Sequence, residues 1–208
     1  HDEALGMLTR VAAAPVTGAG NMRPVSHYVA AAILEGLGRP DAAAGERRRA
    51  READLTWAFP YGLDALDALA GSLAIEPEDA VAHALLGMLL YAHERRRSAS
   101  DHWERAVELG MASPVLLRNA ALAAYNIAHD DDLAWTRYEQ AIVAAPEDPR
   151  LRYEQDQLAA RLGHTAADRL DRLRPHEALV LERDDLTIEY VALLSAEGGA
   201  ARAHEILV

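Results

Sequence analysis

Residues 80–146 read AVAHALLGMLLYAHERRRSASDHWERAVELGMASPVLLRNAALAAYNIAHDDDLAWTRYEQAIVAAP, and this stretch repeats itself. Leu86-Gly87 is followed by Ala99, Trp103 and Ala106. One period later come Ala120-Ala121, then Ala134, Tyr138 and Ala141, and Pro146 closes the unit. The offset is 34 residues from Gly87 to Ala121 and 35 from Ala99 to Ala134, Trp103 to Tyr138 and Ala106 to Ala141. A small residue, an aromatic four positions on and a second small residue describe one face of a helix. Repetition at this period predicts a helical hairpin that stacks on its own copy. Small side chains are expected at the closest backbone approaches, at Gly87, Ala99, Ala106, Ala121, Ala134 and Ala141. Leu86, Leu90, Trp103, Leu122 and Tyr138 fill the hollows beside them.

The pattern extends outward in weaker form. Residues 61–75 carry Leu63, Leu66, Leu69 and Leu73 on one stripe, and Glu76-Pro77-Glu78-Asp79 ends that helix and caps the next. Residues 80–111 and 114–146 are the clearest repeats; 149–174 and 184–208 are degenerate ones, joined by an irregular link at 174–183. Residues 1–60 are an irregular N-terminal part: a helix over 2–14, a loop over 16–24, and a hairpin over 25–37 and 42–55 with Asp41 as its cap. The expected fold is all-α, a right-handed α–α superhelix of hairpins with the repeats over 61–208, the chain running as one continuous solenoid.

Composition agrees. Of 208 residues, 50% are hydrophobic, mostly the helix formers Ala and Leu, with a single Phe. A formal charge of −12 argues against nucleic acid or an anionic membrane as partner, because phosphate contacts need clustered cations. All 21 basic residues are Arg, so lysine Schiff-base and phosphate-loop chemistry are excluded. Cys is absent, which removes thiolate nucleophiles and cysteine metal sites. No apolar run is long enough to span a bilayer. A cytoplasmic location is expected, and the start at His1 is expected to reflect a piece of a longer protein.

The spacing resembles tetratricopeptide-repeat (TPR) proteins, most clearly over residues 80–146. A narrower resemblance rests on Trp57-Ala58-Phe59-Pro60, His83-Ala84-Leu85-Leu86-Gly87, His102-Trp103-Glu104-Arg105-Ala106, Arg118-Asn119, Ala124-Tyr125-Asn126, Tyr153-Glu154-Gln155-Asp156 and Arg183-Asp184-Asp185-Leu186. These are similar to the helical part of large bacterial TPR proteins that carry a β-rich domain of unknown function. The resemblance implies a repeat scaffold within a multidomain protein and transfers no catalytic residue.

By repeat geometry, first helices line a concave groove. Its expected lining is Ala84, Met88, Tyr91, Arg118, Asn119, Leu122, Tyr125, Asn126, Tyr153, Gln157 and Arg161. Asn can bond a peptide backbone both ways, and Arg can hold a carboxylate with two parallel bonds. The expected function is therefore a non-catalytic interaction or assembly scaffold for a peptide or partner protein, which could be another domain of the same chain. The alternative is a helical regulatory or accessory part of a larger bacterial enzyme, a carbohydrate-related one among the options, with His83, Glu154 and Asp156 as its only candidate groups. Neither a cofactor nor a metal is expected. His129-Asp130-Asp131-Asp132 lacks the glycine and distal glutamate of a calcium loop and reads as a helix start with Asp132 as cap. Arg183-Asp184-Asp185 reads as a second cap. His93-Glu94 lacks a second ligand because Arg97 stands there. Glu46-Arg47-Arg48-Arg49 and Arg95-Arg96-Arg97 read as solvated helix faces paired at helical spacing.

Overall fold

A computed structural model describes residues 1–17 and 20–208; Gly18 and Ala19, in the expected loop over 16–24, lie outside the described residues. Among the described residues there are helices and no strands, only one bridge between Thr17 and Gly20. The chain divides into two compact units, His1–Met111 and Ala112–Val208.

The first unit holds α1 (Asp2–Ala13), α2 (Arg23–Gly36), α3 (Pro40–Glu52), α4 (Leu63–Ile75), α5 (Ala80–Ala92) and α6 (Arg96–Glu108). Helices α2 and α3 form one hairpin, α5 and α6 another, and α4 packs against both α2 and α5. Val25, Tyr28, Leu69, Leu85, Leu86 and Leu89 are buried in their core. The α5–α6 hairpin shows why its small residues are required. A β-carbon on Gly87 would stand 2.6 Å from Cδ1 and Nε1 of Trp103 and 3.2 Å from the carbonyl oxygen of Ala99. Ala99 and Ala106 are fully buried on the facing helix.

Polar groups tie this unit together. Asp79 caps α5 by accepting from the Ala82 amide at 3.0 Å, and both its oxygens accept from the buried Tyr28 hydroxyl at 2.9 Å. Arg51 pairs with Asp79 at 3.2 Å and also with Glu76. Arg47, expected on a solvated face, is instead buried: its guanidinium donates to Glu35 at 2.8 Å and Glu76 at 2.7 Å, carboxylates from two other helix ends. Its neighbours are set by tertiary packing and not by spacing along α3. Asp41 does not cap α3 either. Pro40 takes the first helical position, leaving Asp41 in the first turn, where its charge still complements the helix dipole. Asn21 anchors the following corner through its amide nitrogen to the carbonyls of Asp54 and Thr56. In that corner Ala58 and Pro60 are buried, while Trp57 and Phe59 remain more than half exposed.

The second unit holds α7 (Pro114–Ala123), a π-helical turn (Ala124–Ala128), α8 (Asp131–Ala144), α9 (Pro149–Arg161), α10 (Ala166–Leu173), a 3₁₀ turn (Arg174–His176), α11 (Glu177–Val180), α12 (Asp184–Ala196) and α13 (Ala200–Leu207). The irregular link over 174–183 is thus partly helical. Ser113 caps α7, Asp148 caps α9, and Thr165 with Asp168 forms a capping box on α10. The α8 cap is Asp130, not Asp132. His129 takes a left-handed conformation (φ 56°), which places Asp130 in extended backbone with its carboxylate 2.9 Å from the Leu133 amide. Helix α12 has no side-chain cap; Asp184 and Asp185 lie in its first turn, and Asp185 pairs with Arg183 at 2.9 Å.

The π turn explains the uneven period. Both hairpins turn through one left-handed residue, Glu94 in the first and His129 in the second. From Gly87 to Glu94 the chain advances seven residues, but from Ala121 to His129 it advances eight. The extra residue therefore lies inside the helix, between Ala121 and His129. There the Asp130 amide closes on the carbonyl of Ala124, six residues back, where the Arg95 amide closes on Leu90, five back. A π turn is an α-helix with one residue inserted.

Candidate functional site

Each unit carries part of the expected lining. In the first, Met88 is half-buried against the core and Ala84 is fully covered, so Ala84 presents nothing to a ligand. Tyr91 is exposed; its ring lies 5.3 Å from that of Trp103, and the Arg96 guanidinium stands 6.0 Å from its centre.

In the second unit the side chains sort into two groups. One is engaged internally. Arg118 donates from Nε and Nη2 to the two oxygens of Glu154, each at 2.7 Å. Glu154 also accepts from Arg150 Nε at 2.9 Å and the Tyr138 hydroxyl at 3.2 Å. Burial pulls the Glu154 carboxyl upward, but the bonds and charge of Arg118, then Arg150, outweigh it and hold it below the usual carboxylate range. Burial and Glu154 push the Tyr138 phenol up. Asn119 accepts from Arg118 Nη1 at 3.3 Å, and Leu122 packs beside Ala121, Ala134 and Tyr138. Tyr153 lies under Arg183, 5.2 Å from ring centre to guanidinium, and Gln157 is half-buried on α9.

The other group converges on a hollow of about 490 Å³ lined by Tyr125, Asn126, His129, Asp131, Arg161 and Leu162. Tyr125 and Asn126 come from the π turn, His129 and Asp131 from the following bend, and Arg161 and Leu162 from the end of α9. The Arg161 guanidinium stands 5.9 Å over the Tyr125 ring and forms no ion pair among the described residues, within the range of a cation–π contact. Asn126 donates to the Leu122 carbonyl at 2.8 Å, which leaves its carbonyl oxygen for another donor. His129 and Asp131 were visible in the sequence only as part of an acidic bend. Their place beside Tyr125 depends on the left-handed turn at His129.

Each of the three groups considered for catalysis is engaged by neighbours within its own unit. His83, in the first unit, sits Nδ1 to Nδ1 against His102 at 2.7 Å, with its Nε2 3.1 Å from the Pro77 carbonyl. Donation from Nε2 leaves the His83 Nδ1 as acceptor and gives His102 the proton of their bond. Burial and His83 push the His102 imidazole below its ordinary value of 6.5. In the second unit Glu154 serves Arg118, whereas Asp156 takes both oxygens to Arg169, at 2.9 and 2.5 Å. No cluster of three His, Asp or Glu among the described residues is placed to hold a metal, and no described helix is long and apolar enough to cross a membrane.

No protein-family profile matches the chain. Among solved structures, YrrB, a TPR protein described as having an unusual peptide-binding site, matches at TM-score 0.56 and 17% identity, over 88% of this chain and 81% of that one. MamA matches at TM-score 0.57 and 12% identity over 69% and 78%, and PilF of Pseudomonas aeruginosa at 0.54 and 17% over 88% and 73%. With the interlocked hairpins around Gly87 and Ala134, these likenesses define the architecture: the chain has the all-helical fold of tetratricopeptide-repeat proteins.

Proposed function

We propose that the chain is a non-catalytic scaffold that docks a peptide or partner protein on the first helices of its hairpins, anchored at the Tyr125–Arg161 hollow. One observation carries the reading: Tyr125, Asn126 and Arg161, chosen from repeat geometry alone, line one hollow, where Arg161 forms no ion pair among the described residues although Asp131 shares the wall. An aromatic face, an amide oxygen and a guanidinium suit a peptide backbone followed by an acidic side chain or a terminal carboxylate. The hollow's volume lies within the roughly 300–1,000 Å³ of small-ligand sites, enough for a few residues. The description of YrrB as a peptide-binding TPR protein supports this class of ligand. Arg118 has a different role here, bracing α7 against α9 through Glu154.

The test is a peptide array with free C-termini, followed by titration of the best binder. Tyr125→Ala and Arg161→Ala should each weaken binding about tenfold, the loss of one stacking or charge-assisted contact. Their melting midpoints should stay near that of the wild type. Unchanged affinity in both variants would exclude this hollow as the anchor.

A further inference from the structure

A second cavity lies elsewhere in the Ala112–Val208 unit, and its chemistry differs. It measures about 220 Å³ and is lined by Arg152, Gln155, Asp156, Arg172, Leu173 and His176. Helix α9 places Arg152, Gln155 and Asp156 on one stripe, at helical spacing. The last turn of α10 supplies Arg172 and Leu173, and the 3₁₀ turn supplies His176.

The charges here do not cancel. Asp156 is the one carboxylate on the wall, and it is committed to Arg169, which also holds Glu189 at 3.1 Å. Arg152 and Arg172 form no ion pair among the described residues, although the chain carries 33 acidic residues against 21 basic ones. Glu147 lies near enough to act on Arg152 and His176 electrostatically but does not bond either. Arg172 spends Nη1 on the ring nitrogen Nδ1 of His164 at 3.0 Å and lies 5.1 Å over the Trp135 ring. Its Nη2, like Nε of Arg152, is buried without a hydrogen-bond partner. A buried donor with no acceptor is costly, more so on a charged group, so two of them on residues of one cavity wall require a reason.

We propose that this cavity binds a tetrahedral oxyanion, inorganic phosphate or the phosphoryl head of a small phosphomonoester, between Arg152 and Arg172. Planar guanidinium groups match the paired oxygens of such an anion. The volume suits a small head group: it exceeds the roughly 30 Å³ share of one water and falls below the roughly 300 Å³ at which drug-sized sites begin. Burial pushes both guanidinium groups and the His176 imidazole down, with Arg152 adding to the effect on His176, so positive charge gathers here against its own solvation. An anion between the two arginines reverses that balance. Gln155 adds an amide donor, and the bonds from Arg169 to both Asp156 oxygens reduce its repulsion of the guest.

The experiment titrates the 208-residue chain with inorganic phosphate and phenyl phosphate by calorimetry at fixed ionic strength, with chloride as control. Saturable binding with a raised melting temperature is expected. Arg152→Gln and Arg172→Gln should each weaken it about tenfold, while Arg174→Gln, on the exposed Asp171 pair, should leave it unchanged. Preference for phenyl phosphate would identify a phosphomonoester as guest; preference for phosphate would identify the free ion. If either variant fails to fold, the side-chain Nε–H resonance of Arg152 in the wild type decides, since it must shift on phosphate addition and not on chloride. No saturable binding, binding retained in both variants, or a resonance that responds equally to chloride would overturn the proposal.

Discussion

Replacing Gly87 by alanine should weaken the fold, although the same exchange in an ordinary helix strengthens it. An alanine gains about 0.5–1 kcal/mol over glycine inside a helix. At Gly87 the added carbon would lie 2.6 Å from two atoms of Trp103 and 3.2 Å from a backbone oxygen. The backbone oxygen belongs to α6 and cannot retreat alone, so the indole must turn. Trp103 is 3% exposed and packed against Tyr91, and its ring nitrogen already lacks a partner. Overpacking of this kind costs about 1–3 kcal/mol, and moving part of an indole into water adds to it. The net loss should be about 2 kcal/mol, which for a chain this long lowers the melting midpoint by roughly 4–8 °C. Circular dichroism during heating and in urea measures both. Gly71→Ala in α4 is the matched control: nothing lies within 4 Å of its added carbon, so it should stabilise by about 0.5–1 kcal/mol. In a Trp103→Leu background the Gly87→Ala cost should largely vanish. A Gly87→Ala protein as stable as the wild type, or an undiminished cost in that background, would refute the account of the seam.

Three further outcomes follow from the polar contacts. Because the folded chain holds His102 below 6.5 while the unfolded chain does not, the unfolded state binds more protons as pH drops; stability should decline below about pH 6.5, and His102→Gln should flatten that slope in urea titrations. Asp79→Ala removes a cap, leaves the buried Tyr28 hydroxyl without its acceptor and leaves Arg51 with Glu76 alone, so it should cost about 3–5 kcal/mol, against about 1 kcal/mol for Tyr28→Phe. Arg118→Ala should cost about 2 kcal/mol at neutral pH. The depressed Glu154 carboxyl contributes stability above 4.5 that is lost as pH falls through its folded value, so this variant should also unfold with a shallower dependence in acid.

The seam residues could be read from the sequence because their requirement is periodic. Close helix approach demands a small side chain at fixed intervals, and Gly87, Ala99, Ala121 and Ala134 meet it within two repeats. Partner choice among charged residues has no such period. Arg118 and Glu154 stand 36 positions apart, and Arg47 finds Glu35 and Glu76 on different elements. Along α3, Arg47 shares its buried face with Ala43 and Ala50 at helical spacing while Arg48 and Arg49 are exposed, but that spacing does not name its carboxylate partners. The α8 cap failed for a related reason. Three consecutive aspartates each have a suitable carboxylate, and only the left-handed turn at His129 selects Asp130. Of the hollow, the sequence reached Tyr125, Asn126 and Arg161 through repeat position. It missed His129 and Asp131 because a bend brings them in.

The bulge at Ala124–Ala128 gives this fold a tolerance that uniform helices lack. A chain one residue longer would ordinarily rotate everything downstream by a third of a circle and throw Ala134 off its neighbour. Here the surplus is swallowed before the corner, and Ala121 and Ala134 still meet in one buried cluster. The surplus sits in the turn that carries Tyr125 and Asn126. Lengthening at this place can therefore change what the surface offers to a visitor while the joint between helices goes undisturbed.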